Sequence, residues 1–304
     1  MESSWKSIPE FPLFKDLSIE DKPLLDLAFS QSPPLISEFT FTNLFLWRHA
    51  YQLKISRHQN FLCLFAENRE PPFFFPPIGD GDVIECCQRL LRFMKDKGVP
   101  VRMARVPEEI ISRFDWKAEG FVAQFDRDQS DYIYLSEDLI QLKGRKYHRK
   151  RNHIKQFKEK YTYQYLPLTP ELVSDCLRLQ TEWCDLRQCE VIPGLHNESI
   201  AIKEAFSHFE ALEVMGGVIL INDRVEAFTL GEPLNRDTVV IHIEKANPSF
   251  DGLYPMINQA FLENHCSGYT YVNREQDLGE EGLRKAKESY FPHHMVNKYA
   301  ITLE

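Results

Sequence analysis

One order of helices and strands is written twice along the 304 residues, and this recurrence restricts the fold more than any single motif does. In the first half, SIEDKPLLDLAFSQ reads as a helix with Ser18 as N-cap and Asp21 three residues on; the apolar-rich FTNLFLWRHA follows. The alternating runs YQLKIS and FLCLFAE, split by RHQN, predict a hairpin. PPFFFPPIG is apolar but bracketed by prolines, which predicts a short edge or bulged strand. GDVIECCQRLLRFMKDKG is amphipathic, with Val83, Cys87, Leu90, Leu91 and Met94 on one face and Gly98 closing it. VPVRMARV, a short helix around PEEIISRF, and FVAQFDRDQSDYIYL complete the half. The second half begins with helices in TPELVSDCLRLQTEWC and SIAIKEAFSHFEAL. VMGGVILIND and RVEAFTLGEPL then form a hairpin about Asn222–Asp223, a pair suited to a tight turn. DTVVIHIEKA, GYTYVNRE and MVNKYAITLE read as strands, separated by helices in YPMINQAFLENHC and GEEGLRKAKESY.

Each half is thus helix–helix–hairpin–strand–helix–strand–helix–strand, and the halves share little identity, so the repeat is architectural. The order resembles acyl-N-acyltransferase domains of the GNAT type. The expected class is α+β, a three-layer α/β arrangement of two tandem GNAT-like domains, each a mixed, mostly antiparallel sheet flanked by helices. The expected domains are 1–140 and 141–304, the second opening with a basic interdomain helix.

That helix stands out because the chain is acidic, with net charge −9 and a pI near 5.6. Such a chain does not bind nucleic acid over its whole surface, so an anionic partner must be met locally. Lys143–Lys160 nevertheless holds nine Lys or Arg against one acid, Glu159. On a helical wheel Tyr147, Ile154, Phe157 and Tyr161 form one stripe, with Lys150, Arg151 and Lys158 on or beside it. The ordinary reading is a solvated helix face; the functional one is a phosphate or polyanion site lining a cleft between the halves. No DNA-binding motif accompanies the charge.

The seven cysteines contain no CxxC and are expected as inert thiols, with no metal site. MESSWKSIPEF lacks a leader pattern, and no run approaches 18 apolar residues. A cytoplasmic protein is expected, with peripheral membrane contact left open.

Acyl transfer needs a proton taken from the incoming nucleophile. By strict alternation Thr238, Val240, His242 and Glu244 share one face of their strand, opposite Val239, Ile241, Ile243 and Lys245. Glu244 is the first candidate base and His242 the second; the bland alternative is that Glu244 pairs with a cation to hold the sheet. Asp277 could cap a helix beginning near Gly279 and is counted with them in the catalytic set. Asn273 and Glu275 fall on one face of a strand end, with Arg274 on the other. In the following helix Leu283, Ala286 and Tyr290 form the expected packed side, while Arg284 and Lys287 are candidates to bind an acyl donor and stabilise an oxyanion. Glu281 and Lys285 read as an ordinary ion pair. Tyr254 and Asn258 share a helix face, and Asn258 either contacts substrate or satisfies a buried carbonyl. No GxSxG elbow is present, and Trp183 reads as core.

DYIYLSEDLIQLKGRKYHRKRNHIKQF, VIHIEKA with DGLYPMINQAF, and YVNREQDLGEEGLRKAKESYFP together resemble the bacterial family similar to the C-terminal catalytic domain of phosphatidylglycerol lysyltransferases. That family is related in architecture to the Fem aminoacyltransferases. The resemblance covers nearly the whole chain and is strongest over residues 131–157 and 239–292. It implies transfer of an acyl or aminoacyl group, from aminoacyl-tRNA or acyl-CoA as co-substrate, to an amine or hydroxyl acceptor, without a tightly bound cofactor. The membrane region of the lysyltransferases is not in this sequence, which weighs against a phospholipid acceptor. The GNAT pyrophosphate loop is replaced by NPSFDGLYPMIN, with Gly252 alone available for tight wrapping. The expected donor- or substrate-binding set is Lys150, Arg151, Tyr254, Asn258, Asn273, Glu275, Arg284 and Lys287, serving a small-molecule or phosphate-bearing substrate or a tRNA. The other reading is a non-catalytic phosphate- or RNA-binding module on an acyltransferase scaffold.

Overall fold

Paired hydrophobic strands close two separate sheets in the computed structural model, which describes residues 5–304. The first four residues of the segment read as leaderless lie outside the described residues. The chain divides into one compact unit of 1–131, 276–281 and 295–304, and a second of 132–275 and 282–294.

In the first unit the strands are β1 (Lys15–Asp16), β2 (Leu53–His58), β3 (Phe61–Ala66), β4 (Phe73–Phe74), β5 (Ile78–Gly79), β6 (Arg102–Pro107) and β7 (Phe121–Phe125). The helices are α1 (Lys22–Gln31), α2 (Phe41–Tyr51), α3 (Val83–Asp96) and α4 (Glu108–Ile111). Ser18 and Asp21 form the expected capping box ahead of α1. Cys87, Leu90, Leu91 and Met94 of α3 pack on Phe61, Phe74 and Met103 of the sheet. The prolines of PPFFFPPIG do not put β4 at an edge. It lies inside the sheet, antiparallel to β3 and parallel to β6. Only two residues of it pair, so the prolines flank the ladder rather than interrupt it.

The second sheet holds β8 (Asp131–Leu135), β9 (Tyr163–Pro167), β10 (Met215–Ile221), β11 (Arg224–Pro233), β12 (Thr238–Ala246), β13 (Tyr271–Asn273) and β14 (His294–Val296). Its helices are α5 (Ser136–Gln141), α6 (His148–Lys160), α7 (Val173–Arg187), α8 (Pro193–Ser207), α9 (Phe209–Leu212), α10 (Leu253–His265) and α11 (Glu281–Glu288). Asn222 and Asp223 both take left-handed backbone, as a tight hairpin requires. The last strand, β15 (Lys298–Leu303), belongs to the first sheet.

The sheet orders are β1-β2-β3-β4-β6-β15-β7 and β9-β10-β11-β12-β13-β8-β14. Each is a mixed, mostly antiparallel sheet flanked by helices, as expected, with a parallel pair at β4–β6 or β12–β13. The slot after the parallel pair is filled from elsewhere in the chain: by β15 in the first sheet and by β8 in the second. The expected boundary after residue 140 therefore moves to Asp131, and the C-terminal strand returns to the first unit. Buried charge holds it there. The Lys298 ammonium reaches Asp131 at 2.6 Å and Glu38 at 2.5 Å, and Arg105 meets Glu38 at 3.1 Å.

Two side-chain expectations change. Cys184 and Cys189 are disulfide-bonded across the α7–α8 turn, where left-handed Gln188 brings their Cα atoms to 5.0 Å; the other five cysteines are buried thiols. On α11, Lys287 and the following Tyr290 are buried, whereas Leu283 is 39% exposed and Ala286 lies in solvent. The packed side is thus set by hydrogen bonds to Lys287 rather than by apolar periodicity.

Candidate functional site

The register of β12 decides which side chains meet. Leu230 pairs with Ile243 and Gly231 with Ile241, so His242 is an extra residue in a β-bulge. Paired residues share a face, and Leu230 and Gly231 lie on opposite faces, so Ile241 and Ile243 do as well. The alternation flips at His242, and Glu244 does not share a face with Thr238 and Val240 as the unbroken pattern predicts. The Thr229 hydroxyl donates to the Ile243 carbonyl at 2.9 Å beside the bulge. The parallel pairing of β12 with β13 ends at Val240–Asn273, although β12 runs on to Ala246. Side chains from both segments fill the gap beyond that last pair.

Glu244 stands at its centre, 14% exposed. One carboxylate oxygen accepts from Arg274 Nη2 at 3.0 Å, and the other from Asn258 Nδ2 of α10 at 2.8 Å. Asn258 is almost fully buried and contacts this carboxylate rather than a main-chain carbonyl. Burial disfavours the Arg274 charge, but Glu244, Tyr290 and Tyr134 outweigh it and hold the guanidinium above its ordinary range. Arg274 Nη1 is shut off from solvent without a well-aligned acceptor, and the Tyr290 hydroxyl lies close enough to the guanidinium to act on it as a hydrogen-bond partner. The guanidinium carbon lies 4.8 Å from the centre of the Tyr290 ring, and Lys150 Nζ lies 3.7 Å from the same centre. Burial pushes the Tyr290 hydroxyl well above its usual value, with Arg274 opposing.

Lys150 comes from α6, which lies wholly within the second unit. Tyr147, Ile154 and Phe157 are buried as the wheel predicts. The Tyr147 hydroxyl donates to the Tyr290 carbonyl at 3.0 Å, which ties the start of α6 to the segment after α11. Gly252, ahead of α10, has φ +83°, and a Cβ there would lie 2.4 Å from the His153 carbonyl oxygen. Glycine is needed for that close approach of α10 to α6.

Other expected residues do different work. His242, 4% exposed, meets Glu275 through Nδ1 at 2.9 Å and Glu232 through Nε2 at 2.8 Å. Burial opposes its charge, yet the two carboxylates prevail and lift it to about 9. A doubly bonded imidazolium has no lone pair with which to take a proton, so His242 is no base at neutral pH. Asp277 lies in the first unit, fully buried, where it accepts from Arg127 Nη1 at 3.1 Å and from the Gly279 amide at 2.9 Å, and holds a turn there. Lys287 donates to the Arg274 carbonyl at 2.5 Å, and the Tyr134 hydroxyl donates to the Lys287 carbonyl at 2.8 Å. Arg151 donates to the carbonyls of Leu142 and Gly144, closing the turn before α6. Asn273 accepts from the Glu275 amide at 2.7 Å, stabilising a left-handed Glu275. The Tyr254 hydroxyl accepts from Trp183 Nε1 at 3.1 Å, and Arg284 is half-buried on α11.

Sequence reasoning did not select Arg274 or Tyr290, on which the cluster converges. The signal was present: NREQ places an arginine between residues that were selected, at the end of a strand parallel to the one carrying Glu244.

Comparison with known proteins adds the family. A family model described as phosphatidylglycerol lysyltransferase, C-terminal, matches residues 29–302. A structure of a conserved protein of unknown function from Bacteroides thetaiotaomicron is 37% identical, with 96% of this chain and 99% of that one covered and a TM-score of 0.88. The C-terminal domain of a putative lysylphosphatidylglycerol synthetase from Agrobacterium fabrum is 12% identical over 94% of this chain and 92% of its own, with a TM-score of 0.66. L-PGS from Bacillus licheniformis is 17% identical over 98% and 94%, with a TM-score of 0.63. These two show the fold alone. An uncharacterised protein of Mycoplasmoides gallisepticum is 20% identical over 195 residues, 62% of this chain and 61% of that protein's length.

Proposed function

The chain belongs to the family of phosphatidylglycerol lysyltransferase C-terminal domains, and from that premise we propose that it is an aminoacyltransferase, moving an aminoacyl group from an RNA carrier to an amine or hydroxyl acceptor. The observation that carries this reading is Arg274. Transfer from an ester passes through a tetrahedral oxyanion, and its largest single requirement is a fixed donor aimed at that charge. Arg274 fits that role in this reading: Glu244 grips one arm at 3.0 Å, Asn258 braces Glu244, the Tyr290 hydroxyl bears on the guanidinium, and Nη1 is buried without a well-aligned acceptor. In this reading Glu244 aligns Arg274, and Lys287 fixes the main chain that carries it.

Two features favour an RNA carrier over a nucleotide thioester. Pyrophosphate binding ahead of a helix needs open backbone amides. In residues 247–255, the Asn247, Phe250 and Leu253 amides are engaged by backbone carbonyls and that of Ser249 by the Asn247 side chain, and Pro248 and Pro255 have none, which leaves those of Asp251, Gly252 and Tyr254 for an anion. The Glu226 carboxylate also sits against Asn247 at 2.7 Å. In contrast, α6 and the turn before it expose Lys143, Arg145, Arg149, Lys155 and Lys158 to solvent, a concentration of cations that a phosphate backbone would meet.

The test offers tRNA charged with ¹⁴C-labelled amino acids, and separately ¹⁴C-acetyl-CoA, with phosphatidylglycerol vesicles or a mixture of free amines as acceptors. Label should leave tRNA in an enzyme-dependent reaction that falls by about 10²–10³ in Arg274→Gln, the cost of losing one oxyanion donor. Use of acetyl-CoA alone, or full activity in Arg274→Gln, would overturn the reading. Salt-sensitive tRNA binding without any transfer would instead indicate a binding module.

A further inference from the structure

We infer that Lys150 is the general base of the transfer, its amine taking the proton from the acceptor as the acceptor attacks the acyl carbonyl. This rests on the acyltransferase reading above and goes beyond it by naming the group that moves the proton.

The neighbouring candidates are otherwise engaged. Both oxygens of Glu244 accept hydrogen bonds, and both nitrogens of His242 face carboxylates. Lys150 differs: its Nζ rests 3.7 Å from the centre of the Tyr290 ring, on the ring that also borders Arg274 at 4.8 Å. The amine and the oxyanion donor are therefore no farther apart than the sum of those two distances, less than the length of an aminoacyl ester with its attacking group. A carbonyl held by Arg274 presents its incoming nucleophile within reach of Nζ.

The groups that act on Nζ come from several elements. Arg149 lies beside it on α6, Glu244 acts on it from β12 and Arg274 from the segment after β13, and the Tyr290 ring lies against it from the segment after α11. Burial, then Arg274, press the amine down to about 8, with Glu244 opposing and Arg149 adding to the fall. The lowered amine is neutral at pH 7 in a larger fraction than an ordinary lysine, although the Tyr290 ring face favours the ammonium. Position is fixed as well, because Ile154 and Phe157 bury α6 and Tyr147 ties it to Tyr290.

The proton balance closes without a further reactant. The acceptor O–H or N–H loses its proton to Nζ as its new bond to the acyl carbon forms, and Arg274 takes the charge of the tetrahedral oxygen. The ester C–O bond to the carrier then breaks, and the leaving oxygen takes the proton back from the Lys150 ammonium.

The experiment is a single-turnover pH profile, from pH 6 to 9.5, of the full chain with charged tRNA and the acceptor that takes label. Where no acceptor does, enzyme-dependent loss of the aminoacyl group to water is read instead. The wild-type rate should rise about tenfold per pH unit and level near 8. Lys150→Arg keeps a cation but titrates far above this range; it should lose 10²–10⁴-fold and the levelling near 8, with unchanged binding of deacylated tRNA. Added primary alkylamines should restore part of the rate to Lys150→Ala. Lys150→Gln replaces the arginine variant if melting shows that arginine disturbs the fold. A variant within a few-fold of wild type that still levels near 8 overturns the assignment and leaves the acyltransferase reading standing. Wild-type protein that removes no aminoacyl group from tRNA overturns both.

Discussion

Raising the pH should weaken the fold through one residue, His242. Its imidazolium lies between Glu232 at 2.8 Å and Glu275 at 2.9 Å, which lift it from 6.5 to about 9 against the cost of burial. A group whose folded value exceeds its unfolded value stabilises fully below the unfolded value and loses that contribution as pH rises through the folded one. The window is therefore about 6.5 to 9, and at 1.36 kcal/mol per tenfold the full contribution is roughly 3 kcal/mol. The perturbation is His242→Gln, which keeps one amide donor but no titratable charge. Urea unfolding of both proteins at pH 6, 8 and 10, followed by far-UV circular dichroism, gives the stability gap directly. That gap should be widest at pH 6 and shrink by about 3 kcal/mol by pH 10, because other titrating groups are common to both chains. The rising limb of the transfer rate below pH 8 should keep its shape in the variant. A gap constant to within about 0.5 kcal/mol across the range would refute the double-carboxylate argument.

Three further outcomes follow from named contacts. Lys287→Met removes the ammonium that holds the Arg274 carbonyl at 2.5 Å; it should cost about 1.5–3 kcal/mol in urea unfolding and lower kcat more than it raises KM. Gly252→Ala meets the His153 carbonyl oxygen at 2.4 Å with φ at +83°, so strain should cost about 1–3 kcal/mol, read as a lower Tm. Fragments 1–140 and 141–304 made separately should be poorly folded by circular dichroism, because the first lacks β15 and the second lacks β8, each an internal strand of its sheet.

Much of the architecture was readable because it rests on local chemistry. The Asn222–Asp223 turn, the Ser18 capping box and the buried stripe of α6 each depend on residues a few positions apart, and each forms as their types require. The site was readable only in part. Glu244, Asn258 and Lys150 could be named from residue type and position, whereas Arg274 and Tyr290 gained meaning only once a parallel pair ended and two strands parted.

The sequence by itself determined where hydrophobic periodicity switches between helix and strand, the doubled order of elements, and the concentration of cations on one helix. Only the tertiary structure decided which strand completes which sheet, that Asp277 holds a turn, and which way Glu244 points. The physical reason is that strand pairing and buried ion networks join residues far apart in the chain. One extra residue at His242 flips every side chain after it, and no local pattern in β12 announces that bulge.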